Sequence, residues 1–268
     1  MNYYFGGLVM QLFNASSLFN EEGVRELISI ANDPEKIKNK MIYVKETLLE
    51  RYRLKTYNVP EDFTTRSYLV ATNHLTDSDA PLIISYYYDV MHKVKATYPV
   101  MFTFAKENCF NGVSIPKELT PILALEKVTA VDRTNAGGSM AALKTAIKWY
   151  KEGEQPKHFL IFPQGTIYDI NKDEVEDIEK GAFWLAAFLG IPVLPAFLEQ
   201  PVEGEENRLV FAEPIMIPKD CKDFDSYKAL WIERVIEAQN SLEELTGVPA
   251  REAVLDEHHK TRKRFKVE

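Results

Sequence analysis

Short segments rich in β-branched and aromatic residues alternate with longer amphipathic segments along most of this sequence. The strand-like segments are residues 67–72, 157–162, 191–198 and 208–211, and the helix-like segments are residues 80–91, 139–152, 180–189 and 225–246. Strands that alternate with helices are typical of a parallel or mixed sheet covered by helices on both faces. The sequence therefore predicts an α/β fold with a mixed, largely parallel central sheet.

This pattern divides the chain of 268 residues into three regions. Residues 1–57 begin with an apolar stretch and continue with helical periodicity, so they predict an N-terminal helical extension that lies close to a membrane. Residues 58–249 hold the alternating segments and are long enough to bury the core of one large domain. Residues 250–268 form a basic tail, which is predicted either to lie on anionic lipid or to be a solvated terminus.

The apolar stretches of the sequence are not predicted to cross a membrane. The stretch from Tyr3 to Phe13 lacks the preceding Lys or Arg of a signal peptide, and it is interrupted by glycines. The longest apolar run, residues 182–198, contains Gly190 and Pro192 and is typical of a buried helix followed by a buried strand. We therefore expect a cytoplasmic protein that contacts the inner membrane surface peripherally.

Charge, cysteine content and missing motifs argue against several classes of protein. A net charge of −8 argues against a protein that coats nucleic acid. The two cysteines, Cys109 and Cys221, lie far apart, so they predict neither a disulfide framework nor a zinc site and suit a reducing compartment. The sequence has no Gly-x-Ser-x-Gly, Walker-type or Gly-x-Gly-x-x-Gly motif, which are the usual signatures of serine hydrolases, NTPases and dinucleotide dehydrogenases.

His74 and Asp79 lie between a predicted strand and a predicted helix. The chain reverses at this point, and the reversal can bring the two side chains together. A carboxylate against one imidazole nitrogen fixes the tautomer and leaves the other nitrogen free to accept a proton from a hydroxyl group. The pair is therefore a candidate general base with its partner, and the alternative is a turn histidine beside an N-capping aspartate.

Two further segments carry candidate binding residues. The segment from Phe162 to Thr166 follows a strand, and its Pro and Gly predict a tight turn where α/β proteins bind ligands. Backbone N–H groups near Gly165 and the Thr166 hydroxyl could bind a phosphate or an oxyanion, although ordinary turns have similar sequences. Arg133 precedes a Gly-Gly pair and a helix, where its guanidinium suits either a phosphate or an ion pair with Asp132.

These segments stand in one order along the chain, which is more specific than any segment alone. The series is residues 73–81 (NHLTDSDAP), 131–133 (VDR), 162–166 (FPQGT) and 191–195 (IPVLP). Over about residues 58–198 it resembles the four blocks of the glycerolipid acyltransferases, the PlsC-like family that includes lysophosphatidic acid acyltransferases. The resemblance implies a catalytic base, His74, its charge partner, Asp79, and the substrate-binding residues Arg133, Gln164, Gly165 and Thr166.

The resemblance also implies an enzyme similar to a 1-acylglycerol-3-phosphate acyltransferase. Such an enzyme moves a fatty acyl group from acyl-CoA or acyl carrier protein to a lipid hydroxyl, without a metal or other cofactor. The family usually has Glu at the position of Gln164 and commonly a basic residue at that of Ile167, and both positions bear on a phosphorylated acceptor. These departures favour a different acceptor, such as another lipid or a glycolipid. Two alternatives remain open, a catalytically degenerate protein that binds acyl chains or lipid and a thioester hydrolase.

Overall fold

The computed structural model describes residues 50, 52–93, 101–106, 128–131, 136–152 and 156–255. Three predicted features lie outside these residues, namely the apolar start of the N-terminal extension, Arg133, and the basic tail from residue 256 onward. Among the described residues, no helix is both long enough and apolar enough to cross a membrane.

The described residues contain one seven-stranded sheet. Its strands are β1 (Leu54–Tyr57), β2 (Leu69–Thr72), β3 (Met101–Lys106), β4 (Val128–Val131), β5 (His158–Ile161), β6 (Val193–Leu198) and β7 (Asn207–Phe211). Their order across the sheet is β1-β7-β6-β2-β5-β3-β4. Neighbouring strands are parallel except β6 and β7, which are antiparallel. The prediction of a mixed, largely parallel sheet is confirmed.

Two short 3-10 helices, Ile170–Lys172 and Val175–Asp177, lie in the described part of the chain, and four α-helices accompany the sheet there. The four α-helices are α1 (Asp79–Lys93), α2 (Ala136–Lys151), α3 (Gly181–Leu189) and α4 (Asp225–Thr246). Each begins and ends within a few residues of the helix predicted from the sequence. The end of α4 follows from Gly247, which has φ of 74° and therefore adopts the left-handed conformation that glycine tolerates best.

The side chains of the central strands alternate between two cores, one on each face of the sheet. In β2, Leu69 and Ala71 belong to the core that includes residues of α2, α3 and α4, whereas Val70 belongs to the core that includes residues of α1. All residues of β2, β6 and β7 are buried. Strands that are buried on both faces have nearly continuous apolar sequences, which is why β2 and β6 were recognisable.

Helix α4 is fixed directly to the strand that leads to the candidate base. Trp231 of α4 is fully buried, and its indole Nε1–H donates a hydrogen bond of 3.0 Å to the carbonyl oxygen of Ala71. A buried indole needs such a partner for its N–H group. The contact fixes the end of β2 only a few residues before His74.

The sequence pattern does not predict β1, and it places residues 54–57 in the N-terminal extension. In the structure β1 pairs in parallel with β7, with Leu54 opposite Asn207 and Tyr57 opposite Val210. As an edge strand, β1 is only partly buried, so its sequence lacks the apolar run that marks the central strands. The sheet therefore begins before residue 58, the predicted start of the main domain.

A histidine lies in the core at the amino end of β5. His158 has no exposed surface, and its ring centroid is 5.0 Å from that of Phe63 and 4.7 Å from that of Tyr87. Neither ring nitrogen has a hydrogen-bond partner of normal geometry among the described residues. Because burial disfavours the charged imidazolium, it lowers the pKa of His158 to about 3, and the backbone of Phe63 opposes this shift without cancelling it.

We expect His158 to make the protein less stable as the pH falls below 6.5. The unfolded chain binds a proton at its ordinary pKa of 6.5, whereas the folded protein keeps the ring neutral down to about pH 3. The stabilisation is therefore complete above pH 6.5, and about 2 kcal/mol of it is lost by pH 5. The control is His158→Phe, which keeps an aromatic ring but cannot titrate. Urea unfolding of both proteins from pH 7.5 to 5 measures the difference, and parallel pH profiles would contradict the prediction.

Candidate active site

His74 follows the carboxyl end of β2, the edge where open α/β sheets bind their ligands. The preceding residue, Asn73, is buried and continues the pairing of β2 with β6 through its side chain. Its Oδ1 accepts a hydrogen bond of 2.7 Å from the backbone N–H of Leu198, and its Nδ2 donates one of 2.9 Å to the Leu198 carbonyl. This amide fixes the point at which the chain leaves the sheet and thereby positions His74.

His74 and Asp79 are in direct contact, as the sequence predicts. Nδ1 of His74 lies 3.0 Å from Oδ2 of Asp79. The same oxygen accepts hydrogen bonds from the backbone N–H groups of Leu75 (2.6 Å) and Thr76 (2.9 Å), while Oδ1 accepts one from the Thr76 hydroxyl (2.7 Å). Because Oδ2 already acts as an acceptor, Nδ1 carries the hydrogen of this bond, and Nε2 is left unprotonated in the neutral ring.

The interpretation of Asp79 as a helix N-cap is wrong. Asp79 is the first residue of α1, and its carboxylate points back to the N–H groups of Leu75 and Thr76 in the preceding turn. The side chain is only 1% exposed, whereas that of His74 is 20% exposed. The carboxylate is therefore enclosed by its donors while the imidazole reaches the surface, which suits a base and the group that orients it.

The imidazole is also held by an aromatic ring. Phe162 directly follows β5, and its ring is stacked on that of His74, with 4.2 Å between the centroids and 27° between the planes. The stacking fixes the plane of the imidazole, and the bond to Asp79 fixes its rotation within that plane. The imidazole is therefore held in one orientation, as a candidate base would need to be to reach a reactive geometry at low cost.

The segment from Phe162 to Thr166 forms a tight turn at the same edge of the sheet as His74. The backbone N–H of Gly165 donates a hydrogen bond of 2.9 Å to the carbonyl of Phe162, and Gly165 has φ of 67°. This left-handed conformation explains the glycine. The turn lies beside His74, because Gln164 and Tyr168 both form hydrogen bonds with the backbone of His74. The Gly165 N–H is bonded within the turn, which makes Thr166 the stronger candidate for a donor to a ligand.

Gln164 lies behind His74 and is only 2% exposed. Its Oε1 accepts a hydrogen bond of 2.6 Å from the backbone N–H of His74, and its Nε2 donates to the carbonyl of Tyr168 (2.9 Å) and to Oδ2 of Asp173 (2.6 Å). The backbone N–H of Tyr168 in turn donates to the carbonyl of His74 at 2.9 Å. The side chain predicted to bind substrate therefore connects protein groups to each other.

The structure thus brings His74, Asp79 and the turn that carries Gln164, Gly165 and Thr166 to one edge of the sheet, while Arg133 lies outside the described residues. Asn73 and Asp173 were not recognised from the sequence as residues that shape the site. A polar residue directly after an apolar strand was a usable signal for Asn73. Asp173 gave no signal, because it lies in an irregular segment nine residues from Gln164.

The chain is similar to known proteins in both sequence and fold. A model of the Acyltransferase family matches residues 53–199, which include His74, Asp79 and Gln164. A search of curated proteins finds no match. Among solved structures, the chain is similar to the crystal structure of the 1-acyl-sn-glycerophosphate (LPA) acyltransferase, PlsC, from Thermotoga maritima. That match has a TM-score of 0.51 and 21% identity, and it covers 93% of this chain and 91% of that chain. At this identity the likeness shows a common fold.

Proposed function

The chain belongs to the Acyltransferase family, and from this premise we propose that it moves a fatty acyl group from acyl-CoA or acyl carrier protein to a lipid hydroxyl. The protein is therefore an acyltransferase, and the proposal concerns its donor, its acceptor and its catalytic residues. The observation that carries it is the contact of 3.0 Å between Nδ1 of His74 and Asp79, beside the turn that follows β5.

In the proposed reaction, Nε2 of His74 accepts the proton of the acceptor hydroxyl as the hydroxyl oxygen attacks the thioester carbonyl carbon. Asp79 stabilises the imidazolium that forms. The tetrahedral intermediate then collapses, the carbon–sulfur bond breaks, and His74 returns the proton to the leaving sulfur. The products are an ester and a free thiol, and the reaction needs neither a covalent enzyme intermediate nor a metal ion.

In this scheme, the negative charge that develops on the thioester carbonyl oxygen needs a hydrogen-bond donor. We propose Thr166, through its backbone N–H or its hydroxyl, because the Gly165 N–H is bonded to Phe162. A donor of this kind contributes about 3 kcal/mol to stabilisation of the transition state. Thr166 lies only two residues before Tyr168, whose N–H group contacts the backbone of His74.

For the acceptor we propose a lipid hydroxyl that has no phosphate beside it. Gln164 is turned into the protein, and Ile167, the next residue after Thr166, cannot pair with a phosphate. The segment that continues from this turn is acidic, with six Asp or Glu and two Lys between residues 164 and 180. Such a charge disfavours an anionic headgroup at this side of the site. Donor and acceptor would be reached from the inner membrane surface, on which the protein rests peripherally.

The test is an assay of the purified full chain with a panel of acyl-CoA and acyl carrier protein donors and with acceptors in vesicles. The acceptors are lysophosphatidic acid, a monoacylglycerol and a glycolipid extract. We expect thiol release and an acylated product, detected by mass spectrometry, from the acceptors without phosphate, and we expect the protein to float with the vesicles. Steady release of free fatty acid without acceptor would favour a thioester hydrolase. A product only from lysophosphatidic acid would contradict the proposed acceptor, and no turnover with any pair would contradict the proposed transfer.

A further inference from the structure

We propose that Gln164 is a positioning residue for His74. We also propose that position 164 requires an amide and not a carboxylate, because the carboxylate of Asp173 faces it. This inference rests on the proposed function, in which His74 is the base. It assigns Gln164 no contact with substrate. The supporting observations are the hydrogen bond that Gln164 accepts from His74 and the two that it donates to Tyr168 and Asp173, here called the Gln164 bridge.

The partners of the Gln164 bridge determine the orientation of its amide. The backbone N–H of His74 can only donate, so the atom 2.6 Å away from it must be the oxygen of Gln164. The carbonyl of Tyr168 can only accept, so the atom 2.9 Å away from it must be the nitrogen. The nitrogen then directs its second hydrogen to Oδ2 of Asp173 at 2.6 Å. One neutral amide thus satisfies one donor and two acceptors.

A carboxylate could not replace this amide without further change. Gln164 is 2% exposed, and a Glu in its place would have only acceptor oxygens opposite the Tyr168 carbonyl and the Asp173 carboxylate. A buried carboxylate at position 164 would lie at hydrogen-bond distance from the partly buried carboxylate of Asp173, and like charges this close disfavour the doubly charged state. The pair would therefore bind a proton or separate. The Gln at this position and the Asp at position 173 therefore depend on each other.

The Gln164 bridge acts on the backbone of His74, the part that its side-chain contacts do not hold. Gln164 accepts from the His74 N–H, and Tyr168, itself held by Gln164, donates to the His74 carbonyl at 2.9 Å. Asp79 and Phe162 hold the ring. If Gln164 moved away from Asp173, the backbone of His74 would move with it, and a displacement of about 1 Å costs up to about 100-fold in rate.

The experiment compares four variants of the full chain with the wild type. They are Gln164→Glu, Asp173→Asn, the double variant of both, and Gln164→Glu combined with Asp169→Asn. Asp169 is a matched control because it lies in the same segment and carries the same charge, but its carboxylate accepts from the Asn171 N–H and pairs with Lys172. Steady-state assays give kcat and KM, and circular dichroism gives the folded fraction.

We expect Gln164→Glu to lower kcat by about 10- to 100-fold at pH 8 with KM for the donor changed less than about threefold. Asp173→Asn should restore kcat of the Gln164→Glu protein by about tenfold or more, because the Asn side chain donates to the new carboxylate, whereas Asp169→Asn should not. If Gln164→Glu does not fold, recovery of the fold by Asp173→Asn and not by Asp169→Asn supports the same pairing. The inference is overturned if Asp173→Asn and Asp169→Asn restore the Gln164→Glu protein equally, or if neither restores it.

The assay separates this inference from the proposed function. Unchanged kcat in folded Gln164→Glu overturns the positioning role and leaves the acyl transfer intact. If the wild type proves inactive, the ring ¹H–¹³C NMR signal of His74, assigned by its loss in His74→Ala, serves instead. That signal should shift in Gln164→Glu and return in the double variant, and a signal that stays in place overturns the inference.

Discussion

Replacing His74 by Ala should lower kcat for acyl transfer by about 1,000-fold, while the fold is retained. The imidazole at the end of β2 combines a bond to a buried carboxylate with partial exposure at the surface, and its Nε2 can accept a proton. Without it, the acceptor hydroxyl must lose its proton to water, and the departing thiolate must take its proton from water. Thiol release from the donor in the presence of acceptor measures the loss.

Two controls separate the loss of a base from damage to the site. Thermal unfolding of His74→Ala should stay close to that of the wild type, because the ring is partly exposed and Asp79 keeps its bonds to Leu75 and Thr76. Added imidazole should restore part of the activity by entering the space above Phe162. If folded His74→Ala turned over at the rate of the wild type, the mechanism would be excluded.

The fold could be predicted where residues are buried on both sides of a regular element. Strands such as β2 and β6 have continuous apolar sequences, and α4 has a recognisable end at Gly247, so both were found. The edge strand β1 was missed because it is only partly buried and its partner, β7, lies about 150 residues later in the chain. Local patterns carry no information on such a pairing.

The site could be predicted where its residues lie close together in the sequence. His74 and Asp79 flank one strand-to-helix turn, so their contact could be expected from the spacing and the turn. The direction of the Gln164 side chain could not be predicted from the sequence. It is determined by Asp173 and by the backbone of His74, which lies ninety residues away in the chain. The sequence therefore suggested a substrate contact where the structure has a buried bridge.

The largest effect on stability is expected from Glu199→Ala. Glu199 follows β6 and is fully buried, and its two carboxylate oxygens accept hydrogen bonds from Nε and Nη2 of Arg208. Oε1 also accepts from the backbone N–H of Arg251 at 2.7 Å, and Oε2 lies 2.9 Å from the Arg251 guanidinium. Arg208 in turn donates to the carbonyls of Val248 and Pro249, so one carboxylate connects the sheet to the segment after α4.

Removal of this carboxylate leaves the buried guanidinium of Arg208 without its counter-ion. Glu199→Ala should therefore lower the free energy of unfolding by about 3–5 kcal/mol. The matched control is Glu206→Ala, because Glu206 pairs with Lys55 at 3.7 Å and both side chains are more than half exposed. An exposed pair contributes about 1 kcal/mol or less, so this variant should unfold nearly as the wild type does. Urea unfolding at pH 7.5 measures both changes. Equal destabilisation in the two variants would show that burial of the Glu199 pair is not what holds the segment after α4 to the sheet.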